Sequence, residues 1–384
     1  MQMLSTISAN VKQIIGRPIR YYLADRALNT LVIYAAIKIV VLVGALLVAL
    51  IATRYQHPMP VFPTSLTYWD GGWYISIARS NYVEHYPYSA NFPPLYPVMI
   101  KLLSLNQPSA MPWAAIIVSN VFSFVALYFL YHLVPLIINE RYRLRVCFAY
   151  MVFPVLIVCS LVAYSEALFL ALTIGAYFFW KQDKFGLAAA LAIGSVFTRQ
   201  VGVLILVIFI CATLHEYWFK RDTKRVLRQL AATVATAAGV GALYLFYYVR
   251  FGTPFIVMQV LAKAPFWNNT FSPYNVVRSL GLSFFGPDPV PFVAIGALVL
   301  VATFVCLYKR DVTLSAYSLL TLLLLLSISH QWSFVRYLAA TFPVYLFFGL
   351  MLFNDSRKNL IIGSILVAVA IQNLYVFFTG AWLY

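Results

Sequence analysis

Charged residues are scarce in this chain, at 10% of its 384 residues, while 63% are hydrophobic. Soluble globular domains carry about 25% charged and about 45–50% apolar residues, so a soluble enzyme of this length is excluded. A disordered chain is excluded as well, because disorder requires low hydrophobicity. The 17 glycines follow no period, which excludes a collagen-like fibre. What remains is a polytopic membrane protein.

Cysteine is rare too, and its pattern argues against disulfides and structural zinc. All the cysteines fall in apolar runs: Cys147, Cys159, Cys211 and Cys306. None of them forms a Cys-x-x-Cys pair, and no Cys/His cluster has metal-ligand spacing. We interpret them as small buried residues. The sequence also predicts no cofactor.

Long apolar runs between charge clusters predict the fold. A helix needs about 20 apolar residues to cross a bilayer, and about eleven runs are candidates. These predicted spans cover residues 30–52, 111–137, 146–163, 166–180, 186–198, 200–218, 229–249, 291–308, 312–329, 337–353 and 359–378. We therefore predict an all-α polytopic membrane protein with about eleven transmembrane helices. No linker, repeat or break in composition divides it, so residues 1–384 are predicted to form one domain.

Basic residues outnumber acidic ones, 27 to 11, which gives a net charge of +16. In a soluble protein this excess would indicate nucleic-acid binding. In a membrane protein it has a simpler explanation, because cytoplasmic loops accumulate Lys and Arg. With residues 1–29 in the cytoplasm and the sides alternating, every short inner loop is basic. The sequence therefore predicts an inner N-terminus, an outer C-terminus and no nucleic-acid partner.

Two long segments on the predicted outer side, 53–110 and 250–290, are candidates for function. Loops above about 15 residues are usually functional. The first is rich in aromatic residues, which favour the membrane–water interface, so we expect short interfacial helices within it. One should begin after Asp70 and another at Pro94, since proline suits the first turn of a helix.

Carboxylates are costly near lipid, so their positions carry information. Four of the eleven lie in predicted outer segments: Asp70, Glu84, Glu166 and Asp288. Asp70 precedes Gly71 and Gly72, which allow a tight turn or the close approach of a ligand. The neighbouring rings of Trp69 and Tyr74 suit the floor of a sugar site. The alternative is that Asp70 only caps the following helix.

Two arginines interrupt apolar stretches on the same predicted side as Asp70. Arg199 and Arg336 suit an anionic ligand such as a lipid phosphate, and the alternative is that they snorkel at the interface. Glu166 begins a predicted span, where it either joins such a site or only favours the helix dipole. We predict that these four groups converge on one site. Lys38, inside the first span, is interpreted as snorkelling, with a buried lipid headgroup as its alternative partner.

Five short motifs follow one another along most of the chain. They are Trp69–Ala78 with Asn91–Pro97, Tyr164–Phe169, Thr198–Gly202, Gly252–Phe255 with Gln259 and Trp267, and Arg336-Tyr337 with Phe342-Pro343. In this order they resemble the motifs of the PIG-V-like mannosyltransferases, a family of the GT-C superfamily of polytopic glycosyltransferases. Each motif alone is weak, whereas five in order are fairly specific.

The resemblance implies transfer of a sugar, mannose in this family, from a polyprenyl-phosphate donor to a lipid-linked or other acceptor hydroxyl, with inversion. Asp70 matches the family's first-loop aspartate and would be the general base. Arg199, Arg336 and His330 would stabilise the charge on the departing lipid phosphate. Glu166 would position Arg199 or bind the donor sugar. A divalent metal is not indicated, because the aspartate has no Asp-x-Asp pair, but it stays an open alternative.

The main alternative is a transporter or flippase of a lipid-linked sugar, which intramembrane charge and broken spans would suit. It is less favoured because no pair of repeats is visible. A non-catalytic subunit of a membrane complex is a third interpretation. Short loops predict the plasma membrane of a prokaryote, with the active site on its outer face. In a secretory pathway, Asn268-Asn269-Thr270 would instead be a glycosylation sequon.

Overall fold

The chain folds almost entirely into α-helices in a computed structural model. The structure describes residues 2–52, 59–263, 270, 272–285, 291–328, 333–353 and 355–381. Helix makes up 82%, and no strand is present in this described part. The helices are α1 Gln2–Ala52, α2 Asp70–Ser80, α3 Leu95–Leu103, α4 Met111–Ile137, α5 Arg143–Met151, α6 Pro154–Leu161, α7 Glu166–Lys181, α8 Phe185–Thr198, α9 Val203–His215, α10 Thr223–Phe251, α11 Ile256–Lys263, α12 Pro273–Phe285, α13 Pro291–Leu307, α14 Val312–Leu326, α15 Phe334–Ala339, α16 Pro343–Met351 and α17 Ser356–Phe378.

In the part of the chain that the structure describes, five helical segments are long and apolar enough to cross a membrane. They are Arg26–Ala52, Pro108–Ile137, Gln200–Phe219, Thr223–Phe251 and Ser356–Phe378. A sixth span results if α5 and α6 are one helix bent by 63°. These segments indicate an integral membrane protein. The helices α8, α13 and α14 are apolar but shorter, so the eleven predicted spans stay a prediction, although each falls on a helix or on consecutive helices.

Proline explains why two of the predicted spans are broken. Pro154 occupies the first turn of α6, and Pro343 occupies the first turn of α16. Proline has no backbone N–H and its ring collides with the preceding turn, so a continuous helix cannot pass through it. It is favourable in a first turn, where the N–H would lack a partner anyway. The apolar runs 146–163 and 337–353 therefore each form two helices.

The helix α7 lies at the centre of the bundle, packed between α4 and α8. Most of its side chains are buried, from Glu166 at its first position to Trp180 near its end. Gly175 allows this packing, because a Cβ there would come within 2.9 Å of the Phe129 ring. A helix buried on all sides has no polar face to offer solvent. Its acidic first residue is consequently enclosed by neighbouring elements.

The first long loop contains the two short helices that the sequence predicts. The helix α2 begins at Asp70, and α3 follows Pro94; their position on a membrane surface stays a prediction. The loop is fastened to the junction of α6 and α7, where the Ala163 N–H donates to the Leu66 carbonyl at 2.9 Å. Gly71 faces Ala163, and a Cβ on this glycine would lie 3.2 Å from the alanine Cβ. The close approach brings Asp70 over the start of α7.

Lys38 corrects one expectation. It does not snorkel: its side chain is buried, and the residue is only 4% exposed. Its ammonium donates to the Ser123 hydroxyl of α4 at 3.0 Å and to the Ser160 carbonyl of α6 at 3.2 Å. The rings of Tyr34 and Phe124 lie within 5.3 Å of the ammonium. These contacts fix α1 against two other helices, which a hydropathy pattern does not reveal.

The alternation of basic loops allows a direct test of orientation. Single cysteines near Glu84 and near Lys224, introduced into a cysteine-free background, should react differently with a membrane-impermeant thiol reagent in intact cells. The cysteine near Glu84 should be labelled, and the one near Lys224 should be labelled only after the membrane is opened. Labelling of the second site alone in intact cells would reverse the predicted orientation.

Candidate active site

Four ionisable side chains from distant parts of the sequence meet under the first loop. Asp70 begins α2, Glu166 begins α7, Arg199 follows α8 and Arg336 lies in α15. Each occurs at a helix end or in a short helix, where the backbone leaves the bundle. The structure thus brings together the four groups that the sequence predicted to converge.

Glu166 is the centre of this arginine–carboxylate cluster. One of its oxygens, Oε1, accepts from Arg336 Nε at 2.9 Å and from Arg336 Nη2 at 2.5 Å. The same oxygen lies 2.8 Å from Arg199 Nη1. The Glu166 side chain has no exposed surface. A single buried carboxylate therefore holds both guanidinium groups in place.

Arg336 extends the cluster to Asp70. Its Nη2 donates to Asp70 Oδ2 at 2.7 Å. The Arg336 guanidinium also lies 4.4 Å from the centre of the Tyr164 ring, a cation–π contact. On the other side of the cluster, the Arg199 guanidinium lies 5.1 Å from the centre of the Tyr337 ring. Each cation is thus held by a carboxylate and an aromatic face.

Asp70 differs from the other three groups because it is accessible. Its side chain is 21% exposed, whereas those of Glu166, Arg199 and Arg336 are exposed by no more than 9%. No backbone N–H of α2 donates to the Asp70 carboxylate within the described residues, so the helix-cap alternative lacks its hydrogen bond. Oδ1 has no partner among these residues either. One carboxylate oxygen is therefore anchored, and the other is open to a ligand.

The charges in the cluster balance, two arginines against two carboxylates. Buried ion pairs repay their desolvation cost only when their remaining polar atoms are satisfied. Two atoms of the cluster, Glu166 Oε2 and Arg199 Nε, are buried without a hydrogen-bond partner among the described residues. An acceptor and a donor therefore remain for a ligand or for water. Neither arginine is a free cation, as a simple anion site would require.

The aromatic residues near Asp70 divide into two kinds. Trp69 is 44% exposed, and its backbone has φ 57°, a conformation that L-residues rarely adopt. Such strain concentrates at functional sites. Tyr74 is buried, and its hydroxyl shares a 2.7 Å hydrogen bond with Ser165. Trp69 is thus placed to meet a substrate, whereas the predicted contact of Tyr74 with substrate stays a prediction.

Ser165 is a participant that the sequence reasoning missed. Its hydroxyl accepts from Arg199 Nη1 at 3.1 Å and also contacts Tyr74. The flanking residues Tyr164 and Tyr337 were quoted only as parts of motifs. The sequence did contain a signal for Ser165, because it directly precedes the acid that begins a predicted span. A serine hydroxyl at that position can accept a hydrogen bond from the cation that the acid binds. His330 lies outside the described residues, as do Asp288, Trp267, Asn268 and Asn269.

Metal ligands are not clustered in the described part of the chain, where no group of three or more His, Cys, Asp or Glu residues is close enough to hold an ion. The two carboxylates of the site are instead bridged by Arg336. The class that fold and site define is a helical membrane protein with an arginine–carboxylate cluster under its first loop.

Solved structures of one archaeal enzyme share this fold. The chain is similar to the oligosaccharyltransferase AglB of Archaeoglobus fulgidus in complex with an inhibitory peptide and a dolichol-phosphate, with a TM-score of 0.51 and 13% identity. The apo form of the Archaeoglobus fulgidus oligosaccharyltransferase gives a TM-score of 0.50 and 12% identity. Each comparison covers 92% of this chain and 55% of the other, so the chain spans about half the length of these neighbours.

At these identities the similarity shows a common fold. AglB is a GT-C glycosyltransferase, so the GT-C-like fold expected from the motifs is confirmed. No protein-family model matches the chain, and no curated protein sequence matches it. Membership of the narrower PIG-V-like family consequently stays a prediction.

Proposed function

We propose that the protein is a glycosyltransferase that moves a sugar from a polyprenyl-phosphate donor to an acceptor hydroxyl, with Asp70 as the general base. The observation that carries this proposal is the asymmetry of the cluster: a partly exposed carboxylate is anchored by a buried arginine and keeps one oxygen open. The GT-C-like fold supports it. A purely structural cluster would gain nothing from leaving Asp70 Oδ1 accessible.

The reaction follows from this geometry. An acceptor hydroxyl hydrogen bonds to Asp70 Oδ1, which must lie within about 2.6–3.2 Å of the proton's oxygen. The hydroxyl oxygen attacks the anomeric carbon while the bond from that carbon to the lipid phosphate breaks. The proton passes to Asp70, and the electron pair of the broken bond stays on the phosphate. Attack from the side opposite the leaving group inverts the anomeric centre.

The arginines act on the leaving group in this proposal. Arg336 Nη2 is shared between Asp70 and Glu166, so a phosphate that arrives beside it competes with the Asp70 carboxylate for the same donor. If Arg336 Nη2 donates its hydrogen bond to the phosphate and no longer to Asp70, it stabilises the negative charge that develops on the leaving group. It would also release Asp70 from its cation and make it a stronger base. Donor binding thereby activates the base.

The finer parts of the proposal follow from the motif resemblance. They are mannose as the sugar, a lipid-linked or other hydroxyl as the acceptor, and His330 as a further phosphate ligand. Trp69 is the proposed platform for a sugar ring, since its side chain is exposed beside Asp70. The proposal also includes eleven membrane spans and a site on the outer face of a prokaryotic plasma membrane. The dolichol-phosphate present with AglB supports a lipid-phosphate donor here.

A turnover assay tests the function. Purified protein in detergent is mixed with polyprenyl-phosphate mannose labelled in the sugar, with glucose and galactose donors in parallel and a panel of lipid and peptide hydroxyl acceptors. Labelled product with release of polyprenyl phosphate supports the proposal. Movement of intact donor across proteoliposomes without cleavage would instead indicate a flippase. If the protein neither cleaves the donor nor moves it, the remaining interpretation is a non-catalytic subunit of a membrane complex.

Replacement of Arg336 by lysine tests its role toward the donor. Lysine keeps the charge but loses the planar fork that contacts two carboxylates. A hydrogen bond to a charged group contributes about 1.5–3 kcal/mol, so we expect donor affinity to fall by about ten- to a hundredfold. The measurement is the Kd of polyprenyl-phosphate mannose. Arg250→Lys is the control, because Arg250 is exposed and donates only to the Asn81 carbonyl. Equal affinity of Arg336→Lys and parent protein would remove Arg336 from donor binding.

A further inference from the structure

A second polar site lies at the opposite end of the bundle. An open cavity of about 330 Å³ is lined by the end of α7, the end of α9, the beginning of α10 and the turn between α13 and α14. These segments belong to loops that the charge pattern predicts to be cytoplasmic. The cavity lies at the opposite end of α7 from the arginine–carboxylate cluster, because Glu166 begins that helix and Lys181 ends it. Nothing in the proposed reaction uses the cavity.

The cavity carries an excess of positive charge. Lys181 Nζ lies 2.7 Å from Asp311 Oδ2, so these two charges cancel. Burial raises the pKa of the Asp311 carboxyl, but Lys181 and hydrogen bonds from Thr313 and Tyr177 together lower it below its usual value, so the acid stays ionised. Arg225 pairs with Glu216 at 3.6 Å and with Asp183 outside the cavity.

Two cations of the cavity wall are left over, both in the turn after α13. Lys309 is exposed and forms no ion pair with any residue that the structure describes. Within the same residues, the Arg310 side chain donates only to the end of α13, to the Cys306 carbonyl and sulfur. Their charges are not cancelled by the carboxylates Glu216 and Asp311. The wall is thus net positive and suited to an anion.

Gln229 supplies a second, independent indication of a ligand. It lines the cavity from α10 and is only 2% exposed, yet its Oε1 has no hydrogen-bond partner. Arg225 Nε on the same helix is also buried without a partner. A buried amide oxygen that lacks a partner costs free energy unless a ligand or water donates a hydrogen bond to it. Both groups belong to the first turns of α10 and are available to one bound molecule.

The surroundings indicate the depth of the cavity in the membrane. The π-helical turn Glu216–Lys220 borders it and presents Tyr217, Trp218 and Phe219 to the outside, exposed by 60%, 61% and 75%. Aromatic side chains collect at the level of lipid headgroups. A net positive cavity at that depth faces the phosphate layer of the inner leaflet, whose anionic lipids attract basic segments.

We propose that this cavity binds the phosphate headgroup of an anionic phospholipid of the inner leaflet. Lys309 and Arg310 contact the phosphate, and Gln229 Oε1 accepts a hydrogen bond from a headgroup hydroxyl. The lipid joins the ends of α7 and α9 and the beginning of α10 to the turn between α13 and α14. The proposal is independent of sugar transfer, because none of these residues approaches Asp70.

Native mass spectrometry with defined lipids tests the proposal. Protein in detergent is titrated with dioleoylphosphatidylglycerol and, separately, with zwitterionic dioleoylphosphatidylcholine. The anionic lipid should form a one-to-one adduct at least several-fold more tightly. Lys309→Gln should weaken this adduct about fivefold, the typical contribution of one basic residue near an anionic membrane surface. Lys358→Gln removes an exposed lysine of another predicted inner loop and should leave the adduct unchanged.

Gln229→Leu separates binding from stability. Leucine fills a similar volume without an unsatisfied amide, so the melting temperature should stay equal or rise, while lipid binding falls. Equal lipid binding by Gln229→Leu, Lys309→Gln and the parent would overturn the proposal and leave a cavity that holds only water. Displacement of the lipid by an equal concentration of inorganic phosphate would also overturn it, in favour of a soluble phosphate ligand.

Discussion

Asp70→Asn is expected to abolish most of the sugar transfer while the protein stays folded. Asparagine keeps the shape and one oxygen that Arg336 can donate to, but it cannot accept a proton. Loss of a general base typically costs about 10²–10⁴ in rate, or roughly 3–5 kcal/mol of barrier. Arg336 keeps its contacts with Glu166, so the loss of folding stability should stay within about 1–3 kcal/mol. Asp70→Asn is therefore expected to reduce the rate of sugar transfer much more than the folding stability.

The measurement is turnover of Asp70→Asn beside its melting temperature in detergent. Glu84→Gln is the matched control, since Glu84 lies in the same loop and forms an exposed pair with Arg79 at 2.6 Å. The control should keep its turnover. A folded Asp70→Asn protein that retains most of its turnover would exclude Asp70 as the base. Glu166, whose Oε2 is unpartnered, would then be the next carboxylate to examine.

Much of the fold could be predicted from the sequence because apolar run length and proline position are local properties. The predicted run 111–137 coincides with α4, and the expected helix starts at Asp70 and Pro94 agree with α2 and α3 to within a residue. Pro154 and Pro343 could be seen in the sequence, but the helix breaks that they cause were not predicted. Hydropathy is averaged over a window of residues, so it does not show that a single proline lacks its backbone N–H.

The sequence could predict that the four charged residues meet, but it could not predict which of them form ion pairs with each other. Acids and arginines at predicted outer ends of spans gave the four residues that meet in the structure, and their role in a reaction stays a prediction. Pairing depends on which helix ends are neighbours, and that is decided by packing of α7 against α4 and α8. The sequence therefore presented Arg336 as a free anion ligand, whereas it is already engaged by Asp70 and Glu166. Lys38 was misread for the same reason, since its partners Ser123 and Ser160 are distant in the sequence.

Glu166→Gln is expected to destabilise the protein more than any other single substitution in the cluster. It leaves the guanidinium groups of Arg199 and Arg336 buried with only Asp70 to balance them. Removal of one partner from a buried ion pair costs about 3–5 kcal/mol, because the remaining charge is uncompensated. The free energy of unfolding should fall by that amount. Glu84→Gln, the same change in the exposed pair with Arg79, should cost no more than about 1 kcal/mol.

A second substitution distinguishes lost charge balance from lost packing. Arg199→Met removes the cation that Glu166→Gln leaves uncompensated and fills a similar volume, so the double variant Glu166→Gln, Arg199→Met should be more stable than Glu166→Gln alone. Residues in one ion-pair network typically show coupling of about 0.5–3 kcal/mol, far from additive behaviour. The measurement is thermal or denaturant unfolding of the single and double variants in one detergent. Additive losses would mean that Glu166 stabilises the helix junction by packing, and that the two arginines are not held by its charge.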